Sequence, residues 1–150
     1  MTGRIDQASK IYKTVLHIDP RNTQALIDLG DSSSSKNEYR RAISFYDRAL
    51  KHLEKEIYYR DLADEFVQAC VNKADAFLEL KKPGAACQCI VNGLQKYPTD
   101  DFLLDGLQRA QVNYHASKDK MSRSTHGTKV GKSKKRRKEG RNLQGRRTRS

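Results

Sequence analysis

The chain has 150 residues, and its four histidines and three cysteines are the side chains best suited to acid–base, nucleophilic or metal chemistry. Their spacing gives them no such work. His17, His52, His115 and His126 have no serine, cysteine or carboxylate at a separation that would make a nucleophile–base pair. Cys87 and Cys89 form a C-x-C pair, but no further cysteine or histidine nearby completes a zinc set, and Cys70 stands apart. No glycine-rich loop could cradle a phosphate. The expectation is a protein without catalytic residues, metal or cofactor, whose cysteines act as small apolar core residues.

Two other sets of residues do have a useful spacing. Gln24, Ile27, Asp28, Asp31, Ser34 and Ser35 recur at i, i+3, i+4 and i+7, as do Gln68, Val71, Asn72, Asp75, Leu78 and Glu79. That spacing puts each set along one stripe of a helix. Acids outnumber bases on both stripes, so a groove made from them suits a neutral or basic peptide.

The helices that must carry these stripes are legible as a repeat. In GRIDQASKIYKTVLHIDP (3–20) and NEYRRAISFYDRALKHLE (37–54), Ala8 aligns with Ala42, Tyr12 with Tyr46 and Val15 with Ala49, each 34 apart. In KKPGAACQCIVNGLQKYP (81–98), Ala86, Ile90, Gly93 and Leu94 lie 44 beyond Ala42, Tyr46, Ala49 and Leu50. Each copy alternates small and large apolar residues on one helical face, and Pro20 and Pro98 stop two of them. TQALIDLGDSSSS (23–35) and VQACVNKADAFLEL (67–80) supply the partner helices. The serine run should fray its helix near Ser34, because serine is a mediocre helix former.

Here the sequence resembles the tetratricopeptide repeat family, whose pattern is W-x2-L-G-x2-Y, A-x3-F, P. The central copy reads Leu26, Leu29, Gly30, Ser33, Ala42, Tyr46; the third reads Cys70, Lys73, Ala74, Phe77, Ala86, Ile90, Pro98. The resemblance implies an all-α, helical-hairpin solenoid over residues 1–116, of about two and a half repeats plus a capping helix. It also implies a protein–protein interaction adaptor or scaffold that holds peptide segments of its partners in a concave groove. Some members of the family clamp the C-terminal carboxylates of chaperone tails. Asn72 and Lys73 are similar to one piece of that clamp, while Ile27 and Asp31 stand where others are needed.

Three features depart from a plain array. The first repeat lacks its first helix, which leaves Ile5, Ala8, Ile11, Tyr12 and Val15 facing only the second repeat. The chain is expected to be a truncated form, an internal-start isoform or an incomplete gene model of a longer array, or else to offer that face to a partner or a second copy. Residues 55–66 form an insertion without glycine or proline, read as an upstream extension of the next helix. It either packs as a longer helix or presents Tyr58, Tyr59 and Arg60 as a docking edge. At 99–114, Thr99, Asp100 and Asp101 suit a helix start. Phe102, Leu103, Leu104 and Leu107 are expected to cover the last hairpin, with Gln108, Arg109, Gln111 and Asn113 facing out.

Charge divides the chain. The net charge is +12, and residues 117–150 alone hold 14 Lys/Arg against 2 Asp/Glu, so the body is neutral. So basic a tail, poor in apolar residues, is expected to be disordered. Lys132, Lys134, Lys135, Arg136, Arg137 and Lys138 form one cluster; Arg146, Arg147 and Arg149 form another. KKRRK resembles a nuclear localisation signal, which would engage an import receptor, and it equally suits non-specific RNA or DNA phosphates. The tail has no aromatic residue for base stacking. The expected location is the nucleus, including the nucleolus, or the cytoplasm, and neither secretion nor a membrane. An RNA-associated factor and a co-chaperone are the alternative functions.

Overall fold

The structure is a computed structural model, and it describes the backbone of residues 2–56 and 62–147 and the side chains of residues 3–56 and 62–124. Six helices occur among the described residues: α1 (Thr2–Ile18), α2 (Thr23–Ser35), α3 (Tyr39–Glu56), α4 (Ala63–Glu79), α5 (Pro83–Lys96) and α6 (Asp101–Arg147). No strand occurs among the described residues. Met1–Asn113 form one compact unit and Tyr114–Ser150 a second.

In the first unit, consecutive helices from α1 to α5 pack against one another, and α2 also meets α4. This is an all-α solenoid built from antiparallel hairpins. The 44-residue offset holds position by position in the core. Ala42 and Ala86 are fully buried, as are Tyr46 and Ile90 at the next step. Ala49 and Gly93 then make room for the neighbouring helix. One core cluster gathers Leu26, Ile27, Ala42, Tyr46 and Ala49; the other gathers Leu53, Phe66, Cys70, Ile90 and Leu103.

Helix ends follow local rules. The Asn22 side chain accepts from the Ala25 N–H at 2.9 Å and starts α2, and Asp100 accepts from the Leu103 N–H at 3.0 Å and starts α6. Pro83 opens α5, where its missing N–H costs nothing. α2 and α4 both end in a left-handed residue, Asn37 (φ 61°) and Lys81 (φ 60°), again 44 apart. Beyond each, the amide of Glu38 or Lys82 reaches back to the carbonyl of Ser33 or Phe77 at 2.9 Å, closing the last turn. Lysine is poorly suited to positive φ. Lys81→Gly is therefore expected to stabilise the first unit by about 0.5–1 kcal/mol, read as a raised thermal midpoint. Asn37→Gly should gain less, because asparagine tolerates that region.

The serine run carries α2 to Ser35. Ser32, Ser33 and Ser35 donate to carbonyls four residues back, at 2.9 Å each, which lets them stay helical at the helix end. The insertion differs from its expected form. Lys55 and Glu56 close α3, and α4 begins only at Ala63, after Leu62 in a non-helical conformation. The turn added to α4 is packed: Phe66 is buried, and Glu65 accepts from Thr23 Oγ1 at 2.5 Å, tying α4 to the start of α2. Tyr58, Tyr59 and Arg60 lie outside the described residues.

Two apolar faces also need correction. On α1, Ile5, Ala8, Tyr12, Val15 and Leu16 are half-buried, but Ile11 is 62% exposed. On α6 the packed face is Leu103, Gly106, Leu107 and Ala110; Phe102 and Leu104 are 72% and 44% exposed. The small residues decide the contact, since a Cβ on Gly106 would lie 2.9 Å from Ile90 Cδ1.

In the second unit the described backbone is helical to Arg147. Near its start, Lys118 Nζ lies 4.9 Å from the Tyr114 ring, and Ser117 Oγ donates to the Tyr114 carbonyl at 2.7 Å.

Candidate functional site

α2, α4 and the first turns of α6 share one face of the first unit, and three clefts adjoin along it. The middle cleft, about 330 Å³, is lined by Asp31 and Ser34 of α2, Tyr39 and Tyr46 of α3, and Asn72, Asp75, Ala76 and Glu79 of α4. The largest, about 740 Å³, shares Asp75 and Glu79 and continues to Asp105 and Arg109 of α6. The third, about 410 Å³, shares Asn72 and runs to Asp100 and Phe102.

Asp31 is the polar centre. It takes the Tyr46 hydroxyl at 2.6 Å and the Asn72 amide at 2.8 Å, so three helices meet on one carboxylate. Burial raises its pKa; the two donated hydrogen bonds work against that rise, and the charge of Asp28 adds to it. The Tyr46 hydroxyl is held neutral far above the ordinary tyrosine range, by burial first and then by its bond to Asp31. Further along, Arg109 pairs with Asp75 at 3.3 Å, linking α6 to α4 on an exposed surface.

Of the ten groove residues expected from sequence, Asp31, Gln68, Val71, Asn72, Asp75, Leu78 and Glu79 line these clefts. Ile27 does not: it is fully buried in the core, because the stripe turns inward at that position. Gln24 and Asp28 bond to each other at 3.0 Å and line none of the three. Sequence reasoning missed Tyr39, Tyr46, Asp105, Arg109 and Phe102. Tyr46 looked like core alone, and α6 was read as a cap. The tail clusters fall partly or wholly outside: the side chains of Lys132, Lys134, Lys135, Arg136, Arg137, Lys138, Arg146 and Arg147 are not among those described, and Arg149 lies outside the described residues altogether.

Lys73 is turned away from the clefts. It lies in a crevice with α3 and α5 and pairs with Asp47 at 2.5 Å. Burial is the largest single influence and works against its positive charge, but the Asp47 bond together with the charges of Cys89, Asp47 and Cys70 raises its pKa on balance. The clamp-like pair Asn72 and Lys73 is therefore split between two faces. Burial also pushes the Cys70 thiol up to about 12, with Cys89 adding to the effect, and burial raises Cys89 as well. At mildly alkaline pH, a thiol reagent is expected to modify half-buried Cys87 first. Cys70 and Cys89 should react only with unfolding, which mass spectrometry of timed samples would show.

Stacked hairpins with the small-and-large core pattern define an α-solenoid. Residues 1–66 match the tetratricopeptide repeat family, which supports a tetratricopeptide repeat protein. The α4–α5 hairpin beyond the match continues the same pattern. No curated protein matches the chain.

Proposed function

We propose that this protein is an adaptor whose α2–α4–α6 face holds a linear, neutral or basic segment of a partner protein, and that its basic tail directs it to the nucleus through an import receptor. Tetratricopeptide repeats suggest a protein-interaction role and are typically non-catalytic modules. The observation that carries the finer reading is the run of carboxylates in the clefts. Asp31, Asp75, Glu79 and Asp105 stand against Lys81 and Arg109, and with Asp75 and Arg109 paired to each other three carboxylates face one lysine. That field favours a cation and repels the C-terminal carboxylate of an acidic chaperone tail, which disfavours the co-chaperone alternative. No helix among the described residues is long and apolar enough to cross a membrane.

A photo-crosslinking residue at Glu79, with a control at the exposed Arg48 of α3, tests the groove in cells. Crosslinks at position 79 that map to neutral or basic partner segments, and are missing at 48, are expected. Equal yields at both positions would overturn the reading. For the tail, a fluorescent fusion of residues 117–150 should concentrate in the nucleus.

The 14 basic residues of the tail favour a second reading, contact with RNA phosphates. It requires that affinity of the tail for a single-stranded RNA fall steeply with salt, with a log–log slope of several units. A flat response would remove it.

A further inference from the structure

Phe102 has no packing role that accounts for it. It stands in the first turn of α6, 72% exposed, on the rim of the 410 Å³ cleft. The apolar part of that cleft is Val67, which is buried, and Val71, which is half-buried. Its charged lining is Asp64 and Asp100, with no base among the described lining residues. Asp100 accepts the Leu103 N–H, and Asp64 is exposed to solvent. Asn72 closes the inner end, its amide committed to Asp31.

An occupant must satisfy three conditions here. It needs an apolar stem to cover the valines, a flat face to lie on an aromatic ring, and a positive charge to answer two carboxylates. An aliphatic side chain leaves the acids unanswered, and an acidic one is repelled. Lysine has the stem and the charge but is a strongly hydrated point charge. The guanidinium of arginine is planar, weakly hydrated and stacks on aromatic faces. We infer that this cleft is a subsite for an arginine side chain of the bound partner segment. The inference rests on the groove reading above and gives it a sequence preference.

The test uses the full chain and fluorescein-labelled peptides Gly-Ala-Leu-X-Leu-Ala-Gly, with X arginine, lysine, norleucine or glutamate, read by fluorescence anisotropy. The arginine peptide should bind about tenfold more tightly than the norleucine peptide, with lysine between them and glutamate weakest. Phe102→Ala and Asp64→Asn should each cost the arginine peptide about threefold to fivefold and leave the norleucine peptide unchanged. Both side chains are exposed, so both variants should fold, as circular dichroism would verify. Shifts of the Phe102 ring and Val71 methyl signals in NMR spectra should accompany arginine binding only. An arginine peptide that binds no tighter than norleucine, that fails to bind at about 1 mM, or that ignores Phe102→Ala overturns the subsite. If the peptides bind without preference for X and lose affinity on Glu79→Lys, the subsite falls and the groove stands. If nothing binds and crosslinking at Glu79 also fails, both fall.

Discussion

Gly30→Ala is expected to cost about 3 kcal/mol, the upper end for overpacking a core, and to lower the thermal midpoint by roughly 15 °C. A Cβ at this position would sit 2.7 Å from Tyr46 Cδ1 and 2.8 Å from Cζ. The ring cannot retreat. It is 1% exposed, and its hydroxyl is tied to Asp31. α2 would have to lift from α3, and the start of the shared face would move with it. Gly3→Ala is the control, since nothing lies within 4 Å of the added carbon. The repeat itself supplies a rescue. Forty-four residues on, Ala74 and Ile90 take the places of Gly30 and Tyr46 and are both buried. The double substitution Gly30→Ala with Tyr46→Ile copies that pair and should recover part of the loss. A midpoint for Gly30→Ala within a degree or two of the parent would show that this helix contact is not close-packed.

The two simplest changes at Asp31 are expected to have opposite signs. Asp31→Ala leaves the Tyr46 hydroxyl and the Asn72 amide without their acceptor, at a cost of about 2–3 kcal/mol. Asp31→Asn keeps a carbonyl oxygen that can take both bonds and removes a half-buried charge beside Asp28. It should be neutral or stabilising at pH 7. The pH dependence separates the two causes. The folded pKa of Asp31 lies above its unfolded value of 3.8. Its favourable contribution is therefore complete below the unfolded pKa and is lost as pH rises through the folded one. The midpoint of Asp31→Asn relative to the parent should accordingly rise from acid toward neutral pH and then level off. A constant difference across that range would mean the carboxylate feels no burial.

The repeat was legible because its signal is redundant. Ala42, Tyr46 and Ala49 recur as Ala86, Ile90 and Gly93, and sterics allow little else where helices approach closely. The face of α6 was misread for the complementary reason. Four large apolar residues near its start drew attention, whereas Gly106 and Ala110 set which side can approach α5. Ile27 was misplaced because helical spacing locates a stripe but not its edge, and one position of rotation separates groove from core. Lys81 was silent at a left-handed cap because such caps are usually announced by glycine. The Asp31–Tyr46–Asn72 junction joins residues up to 41 apart in sequence through three helices. No local pattern encodes it, and only the stacking of hairpins reveals it. The tail clusters were plain from charge alone.

The succession of contacts from α1 to α5 has a mechanical consequence. Each helix is held mainly by its immediate neighbours, and α1 chiefly by α2. Force applied across such a stack is borne in series, so the weakest junction yields while the others remain intact. Pulled between its ends in an optical trap, the first unit should lengthen in discrete steps. Release of α1 should be the earliest and least forceful, and the hairpins bound through Tyr46 and Ile90 should give way last.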